Sequence, residues 1–326
     1  MPAEPAPSAS PPPAIGRLSA SVSRYWNRLP RNTQGALFVL LGAFLLTMMA
    51  IMFRVLGSRL PPMEVLFFRF LAGLLVLVPL FARRGFSLLR TRRHGMHFTR
   101  GVVGTIGNAC AIYSIVHMAI ADAITIQFSR PLFMLFIAAL FLGEVVGRQR
   151  AIVAAVGFTG IMMITRPFGA GFEPWAIVAA LGALNGTLVV LSVKLLRRTE
   201  QTMVIMFYFA VWTTVLTFVP TLIVWQTPTP IEFVMLALTG VLGIFGQSCF
   251  THGIGLGETT FVMPFDYTRI VFGAVFGLVL FGELPGLWSF AGAAVIIGAS
   301  LYLIRTDTRA GKKKQADANG KEGGSA

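Results

Sequence analysis

The chain of 326 residues is 55% hydrophobic and 12% charged, with a mean hydropathy of +0.75. Soluble globular domains carry about 25% charged residues, so this composition excludes an ordinary soluble fold and points to an all-α membrane protein. The formal net charge of +14 would suit nucleic acid, but the basic residues fall between apolar runs rather than on one face, which reads as membrane topology instead.

Residues 1–34 are rich in Pro, Ala and Ser and read as a disordered cytoplasmic tail. No apolar core of a secretory signal precedes Gly35. Ten apolar segments follow, at 35–53, 62–82, 100–118, 121–142, 149–165, 174–194, 202–225, 232–255, 258–281 and 286–304. Each is near the roughly 20 residues that a spanning helix needs. Residues 306–326, with Lys312, Lys313 and Lys314, form a basic cytoplasmic tail. With the amino terminus inside, 21 of the 27 Lys and Arg residues fall on the cytoplasmic side. Only Arg54, Arg59 and Arg166 fall on the other, a bias that places both termini in the cytoplasm. Trp175, Trp225 and Trp288 lie at the expected outer interface, as an aromatic belt would.

The chain repeats itself at a fixed offset of 139 residues. Gly101-Val-Val-Gly-Thr-Ile-Gly-Asn-Ala-Cys110 matches Gly240-Val-Leu-Gly-Ile-Phe-Gly-Gln-Ser-Cys249, and the offset holds without a gap to Arg166 and Arg305. The fold class expected is therefore ten transmembrane helices in two inverted five-helix repeats, 35–165 and 174–305. Five is odd, so the second repeat enters the membrane upside down. Inverted repeats of this kind characterise secondary transporters, with the substrate site at the midplane between the halves.

Three arginines, Arg69, Arg130 and Arg269, lie inside apolar helices, where a charge is costly and marks a site or a buried pair. Arg130 and Arg269 are repeat equivalents. Counting a rise of about 1.5 Å per residue from the nearest hairpin puts them roughly 13 and 16 Å deep, near the middle of a core about 30 Å thick. Gln127 and Asp266 stand three residues earlier on the same helix faces. Two guanidinium groups there can hold carboxylate, phosphate or carbonyl groups. The structural alternative is that they only tie the bundle together. Desolvation makes a buried pair a poor stabiliser, which tilts the weighing towards function.

Tyr267 belongs to the same stretch. Asn108 and Gln247, with Tyr113 and His252 further along their helices, are candidates to hydrogen-bond a substrate, or else interhelical glue worth about 1 kcal/mol per bond. Asp266 has no acidic counterpart, since Gln127 occupies its position, and it is the first coupling candidate, followed by Glu64. Glu64 and Arg69 are five residues apart and need separate partners. Glu144 and Glu283 sit at helix ends, each after a Gly, and are weaker coupling candidates; Asp122 and Glu258 lie at hairpins, where solvent suffices. The repeated glycines read as close-packing positions, and Cys110 and Cys249 as small buried residues without disulfide or metal spacing. There is no phosphate loop, no His-Glu-x-x-His and no dinucleotide turn, so neither ATP hydrolysis nor a cofactor is expected.

These residues resemble the drug/metabolite transporter superfamily in its EamA-type branch. The resemblance rests on Pro61-Pro62-Met63, Phe68-Arg69-Phe70, Phe141-Leu142-Gly143-Glu144 with Gly157 and Gly160, and Leu280-Phe281-Gly282-Glu283 with Gly292 and Gly298. It covers about residues 35–305; the first helix departs from it, with Leu41-Gly42 where the family often has Trp-Gly. It implies a secondary transporter of the bacterial inner membrane working by alternating access. The lead expectation is import of a small polar or anionic metabolite, vitamin- or nucleoside-like, such as riboflavin or S-adenosylmethionine. The alternative is export of amino acids or toxic metabolites, and a distant one is a membrane-embedded enzyme acting on lipid. The partners expected are the metabolite, the lipid bilayer and a second copy of the chain in a homodimer, with no nucleic acid.

Overall fold

The computed structural model describes residues 29–85, 89–141, 148–166, 172–196, 199–257 and 259–302. Most of each tail lies outside the described residues, as do Glu144 and Glu258. Among the described residues the chain is helical, with no strand. The α-helices are α1 (Arg31–Leu56), α2 (Pro62–Arg84), α3 (His94–His117), α4 (Ile120–Gln127), α5 (Arg130–Phe141) and α6 (Arg148–Thr165). They continue as α7 (Pro174–Leu196), α8 (Thr202–Ile223), α9 (Pro230–Leu256), α10 (Thr259–Val262), a 3₁₀ turn over Met263–Tyr267, α11 (Thr268–Phe281) and α12 (Leu287–Tyr302).

Six described segments are long and apolar enough to cross a membrane: Arg31–Leu56, Pro62–Pro79, Pro174–Val193, Met203–Ile223, Pro230–Leu256 and Met263–Phe281. Their outer surfaces are apolar too. Leu181, Val215, Leu222, Val234, Val271 and Val279 are all exposed, as lipid-facing residues of a bundle would be. Local signals fix the helix starts. At α9, Thr229 accepts from the Glu232 backbone N–H while the Glu232 carboxylate accepts from Thr229 N at 2.7 Å, with Pro230 in the first helical position.

α1 packs along α9, and α3 along α7. α2 lies against α8 and α9, and α8 against α3. Both the 3₁₀ turn and α11 meet α1, and both α4 and α5 meet α7. Where α1 crosses α9 the backbones nearly touch. A Cβ on Gly35 would lie 2.7 Å from the Gly253 carbonyl, and one on Gly253 would lie 2.6 Å from the Gly35 carbonyl. The core centres on Leu46, Phe53, Leu56, Leu66, Ile112, Ile120 and Ile126.

Two expectations from the sequence need correction. The segments 121–142 and 258–281 are not continuous helices. The first is broken between α4 and α5, the second by the 3₁₀ turn. Pro131 explains the first break: it has no N–H for the Gln127 carbonyl, and its ring would strike that carbonyl in an unbroken helix. Phe128 N and Ser129 N instead bond three residues back, each at 3.0 Å, to the carbonyls of Thr125 and Ile126. Pro264 does the same in the second segment by leaving Thr260 without its donor. A third difference is smaller: α3 begins at His94, six residues ahead of its apolar stretch.

Candidate functional site

Each break carries one of the sequence-matched quartets, Gln127-Phe128-Ser129-Arg130 or Asp266-Tyr267-Thr268-Arg269, and the two quartets meet. The Phe128 and Tyr267 rings pack against each other in a tilted arrangement, 4.6 Å between centroids and 34° between their planes. The Arg269 guanidinium stands over the Phe128 ring at 5.8 Å. Ser300 of α12 donates to the Phe128 carbonyl at 3.0 Å and also hydrogen-bonds Tyr267, which joins both breaks to the last helix. Arg130, Arg269 and Asp266 are within electrostatic reach of one another. The two arginines thus lie near each other.

Within the quartets the two pairings differ. Arg130 Nη2 donates to Gln127 Oε1 at 2.9 Å. Arg269 Nη1 stands 3.6 Å from Asp266 Oδ1, an ion pair too long to be a hydrogen bond. Among the described residues, three buried polar atoms here lack a hydrogen-bond partner: Asp266 Oδ1, Gln127 Nε2 and Arg269 Nε. Asp266 is only 6% exposed, whereas Arg130 is exposed although it sits mid-chain in an apolar run. The starts of α5 and α11 lie at the breaks, so two helix N-termini add positive potential to the two guanidinium groups. Against all this stands one carboxylate, Asp266.

Sequence reasoning missed the wall that holds one side of the site. Gly182 and Gly186 of α7 make a groove for Gln127 and Arg130. A Cβ on Gly186 would be 2.9 Å from Arg130 Nε, and one on Gly182 would be 3.1 Å from Gln127 Nε2. The signal was present as a Gly-x-x-x-Gly spacing in α7, a packing motif in membrane helices.

The remaining candidates make their contacts elsewhere. Asn108 is fully engaged, accepting from Arg69 Nη1 at 2.8 Å and donating to the Gly104 carbonyl at 2.8 Å, so it holds the third membrane arginine. Arg69 also lies over the rings of Phe53 and Phe70. Gln247 is exposed on α9. Tyr113 joins a stack with His117 and Trp175, and the rings of the latter two are 4.0 Å apart. His252 packs edge-on against Phe38 at 4.8 Å. Glu64 is fully buried in the first turn of α2; Oε2 accepts from Gln226 N at 3.1 Å and Oε1 has no partner among the described residues. Glu64 and Arg69 do have separate partners.

Asp122 is not merely solvated, because Ser289 Oγ donates to its Oδ2 at 2.9 Å. Glu283 pairs with Arg54. Cys110 and Cys249 are free and half-buried.

Comparison with known proteins agrees with this architecture. The EamA-like transporter family matches twice, over residues 33–166 and 173–305. An S-adenosylmethionine uptake transporter of Rickettsia bellii is 30% identical over 279 residues, covering 84% of this chain and 96% of its own. The pseudopaline exporter CntI of Pseudomonas aeruginosa is 30% identical over 83% of this chain and 96% of its own. A riboflavin transporter of Brucella anthropi is 27% identical over 77% of this chain and 92% of its own. A solved crystal structure shares the fold at a TM-score of 0.55 and 19% identity, covering 82% of this chain and 95% of that one. The chain belongs to the EamA-like transporter family, within the drug/metabolite transporters.

Proposed function

We propose that this chain is a secondary active transporter of the bacterial inner membrane that moves a small polar or anionic metabolite through a site between the two broken helices. The observation that carries this reading is the meeting of two offset-matched quartets at two helix breaks, with Arg130 and Arg269 brought within electrostatic reach of each other. Discontinuous helices that aim their N-termini at a midplane ligand are a recurrent device of secondary transporters.

The architecture that goes with this reading is ten spans in two inverted repeats, 35–165 and 174–305. Its support is the pattern of packing. Under the 139-residue offset, the α1–α9 contact corresponds to α7–α3, α2–α9 to α8–α3, and α11–α1 to α5–α7, and each member of these pairs is present. The double family match points the same way. The bias of basic residues supports both termini in the cytoplasm. Arg130, Arg269, Gln127, Asp266 and Tyr267 form the substrate site in this reading. Asp266 is the coupling residue: it is the one acid at the breaks, and its counterpart is a neutral Gln.

For direction, import is the first reading, since an S-adenosylmethionine uptake transporter and a riboflavin transporter are both similar over most of their length. Export is the second, since the pseudopaline exporter is as similar as the first of these. Reconstituted vesicles loaded with unlabelled S-adenosylmethionine or riboflavin and tested for accelerated entry of the labelled compound decide between transport and other activities. Saturable counterflow is the expected result. Flux of ions without saturation, or turnover of lipid, would sink the reading.

A further inference from the structure

The connection from α2 to α3 is fastened to the start of α8. Tyr208 OH donates to the Leu89 carbonyl at 2.8 Å, Thr91 Oγ1 donates to Glu200 Oε1 at 2.6 Å, and Arg93 N donates to Thr91 Oγ1 at 3.0 Å. Further into α3, the buried Arg100 donates to the Ile205 carbonyl at 2.9 Å and lies over the Phe209 ring. On this mount Arg90, Arg92, Arg93 and His94 all stand exposed. None of the three exposed arginines has an ion pair among the described residues; Arg93 makes a long contact with Met96 Sδ at 4.0 Å. Arg54 and Arg59, by contrast, are paired with Glu283 and Glu232. Glu200, the carboxylate that touches this connection, is taken up by Thr91, and α3 has neither an acidic residue in its first turn nor a side-chain cap.

We propose that this surface binds an anionic phospholipid, with Arg92 and Arg93 on the phosphodiester of the head group and the acyl chains along the face that α3 shares with α8. His94, Phe98 and Gly101 follow one another at i, i+4 and i+7, so they lie on one face of α3. His94 is exposed at the polar end. Phe98, one turn on, is 44% exposed and packs edge-on against Trp212 of α8 at 4.9 Å. Trp212 closes on α3 at Gly101, where an added Cβ would lie 2.5 Å from the Trp212 Cβ. At about 1.5 Å of rise per residue, the face passes from charged to aromatic to apolar within roughly 10 Å. That is the order in which a phospholipid presents its phosphate, its glycerol and its chains. A basic cluster just outside a spanning helix is drawn to anionic lipid, and the positive end of the α3 dipole acts in the same sense. A soluble phosphate would use the arginines and leave Phe98 bare; a neutral lipid would cover Phe98 and leave the arginines without an anion. The binding is independent of where the transported substrate sits.

The test uses the purified full chain in detergent and reads the shift in Tm as lipid is added at increasing mole fraction, because a ligand that binds the folded state alone must stabilise it. The probes are phosphatidylglycerol, phosphatidylcholine with the same acyl chains, and glycerol 3-phosphate, which carries a phosphate without chains. The result expected is a rise in Tm with phosphatidylglycerol that the other two do not match. In Arg92→Gln/Arg93→Gln the phosphatidylglycerol needed for half the shift should rise about 30-fold, at about fivefold for each basic residue beside an anionic surface. Arg92→Lys/Arg93→Lys keeps the charges and should keep the shift. Arg148→Gln, which removes an exposed charge at the start of α6, should leave it unchanged. Raising salt from about 0.1 M to 1 M cuts the screening length from about 10 Å to 3 Å and should weaken the wild-type shift. The Tm of each variant without lipid reports its folding separately. The proposal is overturned if phosphatidylglycerol gives no shift, or if phosphatidylcholine or glycerol 3-phosphate stabilises as well as it does. It is also overturned if Arg92→Gln/Arg93→Gln keeps the full shift, or if Arg148→Gln loses it to the same extent.

Discussion

Glu283 Oε1 lies 2.7 Å from Arg54 Nη2, and its other oxygen accepts the backbone N–H of Ile120 at 3.0 Å. One carboxylate therefore joins the end of α1, the start of α4 and the turn before α12. Arg54 adds bonds to the carbonyls of Ile115 and Val116 at the end of α3. The turn itself depends on Gly282, whose φ of 67° is left-handed and which ends α11 as its C-cap. Neither side chain is fully exposed, with side-chain accessibilities of 23% for Arg54 and 14% for Glu283, so the pair is only partly screened.

This cluster predicts strong coupling. Glu283→Gln and Arg54→Met should each lower Tm, and a double-mutant cycle should return about 0.5–3 kcal/mol of interaction, as expected for contacting residues in one polar network. Additive losses would show that the two residues are independent. If transport alternates access by separating these elements, the same variants should also expose the α3–α4 end. A cysteine placed at Ala119 should then react faster with maleimide in Glu283→Gln than in the otherwise unchanged chain.

The two arginines at the breaks make the second prediction. In the proposed site, replacing Arg130 or Arg269 by Gln would remove one charged partner from the ligand and should cost about 2–5 kcal/mol of binding, which reads as near-complete loss of uptake. Membrane insertion and the amount of folded protein should stay near normal, because neither arginine is closed into a charge-assisted hydrogen bond with Asp266. Loss of folded protein in both variants would return them to the structural alternative.

How much of this was legible in the sequence can be judged from particular residues. The apolar runs, the basic bias and the 139-residue offset were enough to place Gln127, Arg130, Asp266 and Arg269 together, because periodicity and charge are local facts. The helix breaks were not seen, although Pro131 and Pro264 stood inside the runs. Tertiary partners decide whether a membrane helix tolerates a proline as a kink or breaks at it. Asn108 and Gln247 looked equivalent in the repeat, yet among the described residues an arginine, Arg69 of a different helix, donates to Asn108 while Gln247 is exposed. The contribution of α7 could not be ranked in advance: two glycines matter here only because two long side chains from another helix lie in their groove.

That groove gives the third prediction. Gly186→Ala should displace Arg130, because the new methyl would sit 2.9 Å from Nε, partway along the side chain rather than at its flexible tip. Uptake should fall while stability changes little, and Gly182→Ala should act more weakly through Gln127. Gly255→Ala near the end of α9 is the control, since a Cβ there meets nothing within 4 Å. Equal uptake in Gly186→Ala and Gly255→Ala would show that the position of Arg130 does not depend on α7.

The last prediction concerns pH. His97, in the first turn of α3 ahead of the apolar stretch, is 1% exposed, and neither ring nitrogen has a hydrogen-bond partner among the described residues. Its ring lies 4.6 Å from that of Tyr208 on α8. Burial pushes the imidazole pKa below its ordinary value of 6.5; Glu200 opposes the shift, while Arg100 and His94 reinforce it. A folded-state pKa below the unfolded one means that the unfolded chain binds the extra proton first. The contribution of His97 to stability is therefore complete above about pH 6.5 and is lost as pH falls through the interval between the two values. Tm of the wild-type chain should be flat from neutral pH upwards and decline below that point. His97→Phe keeps a ring against Tyr208 and removes the titrating group, so its Tm should decline less over the same range. A decline of the same size in both proteins would assign the pH dependence to carboxylates instead.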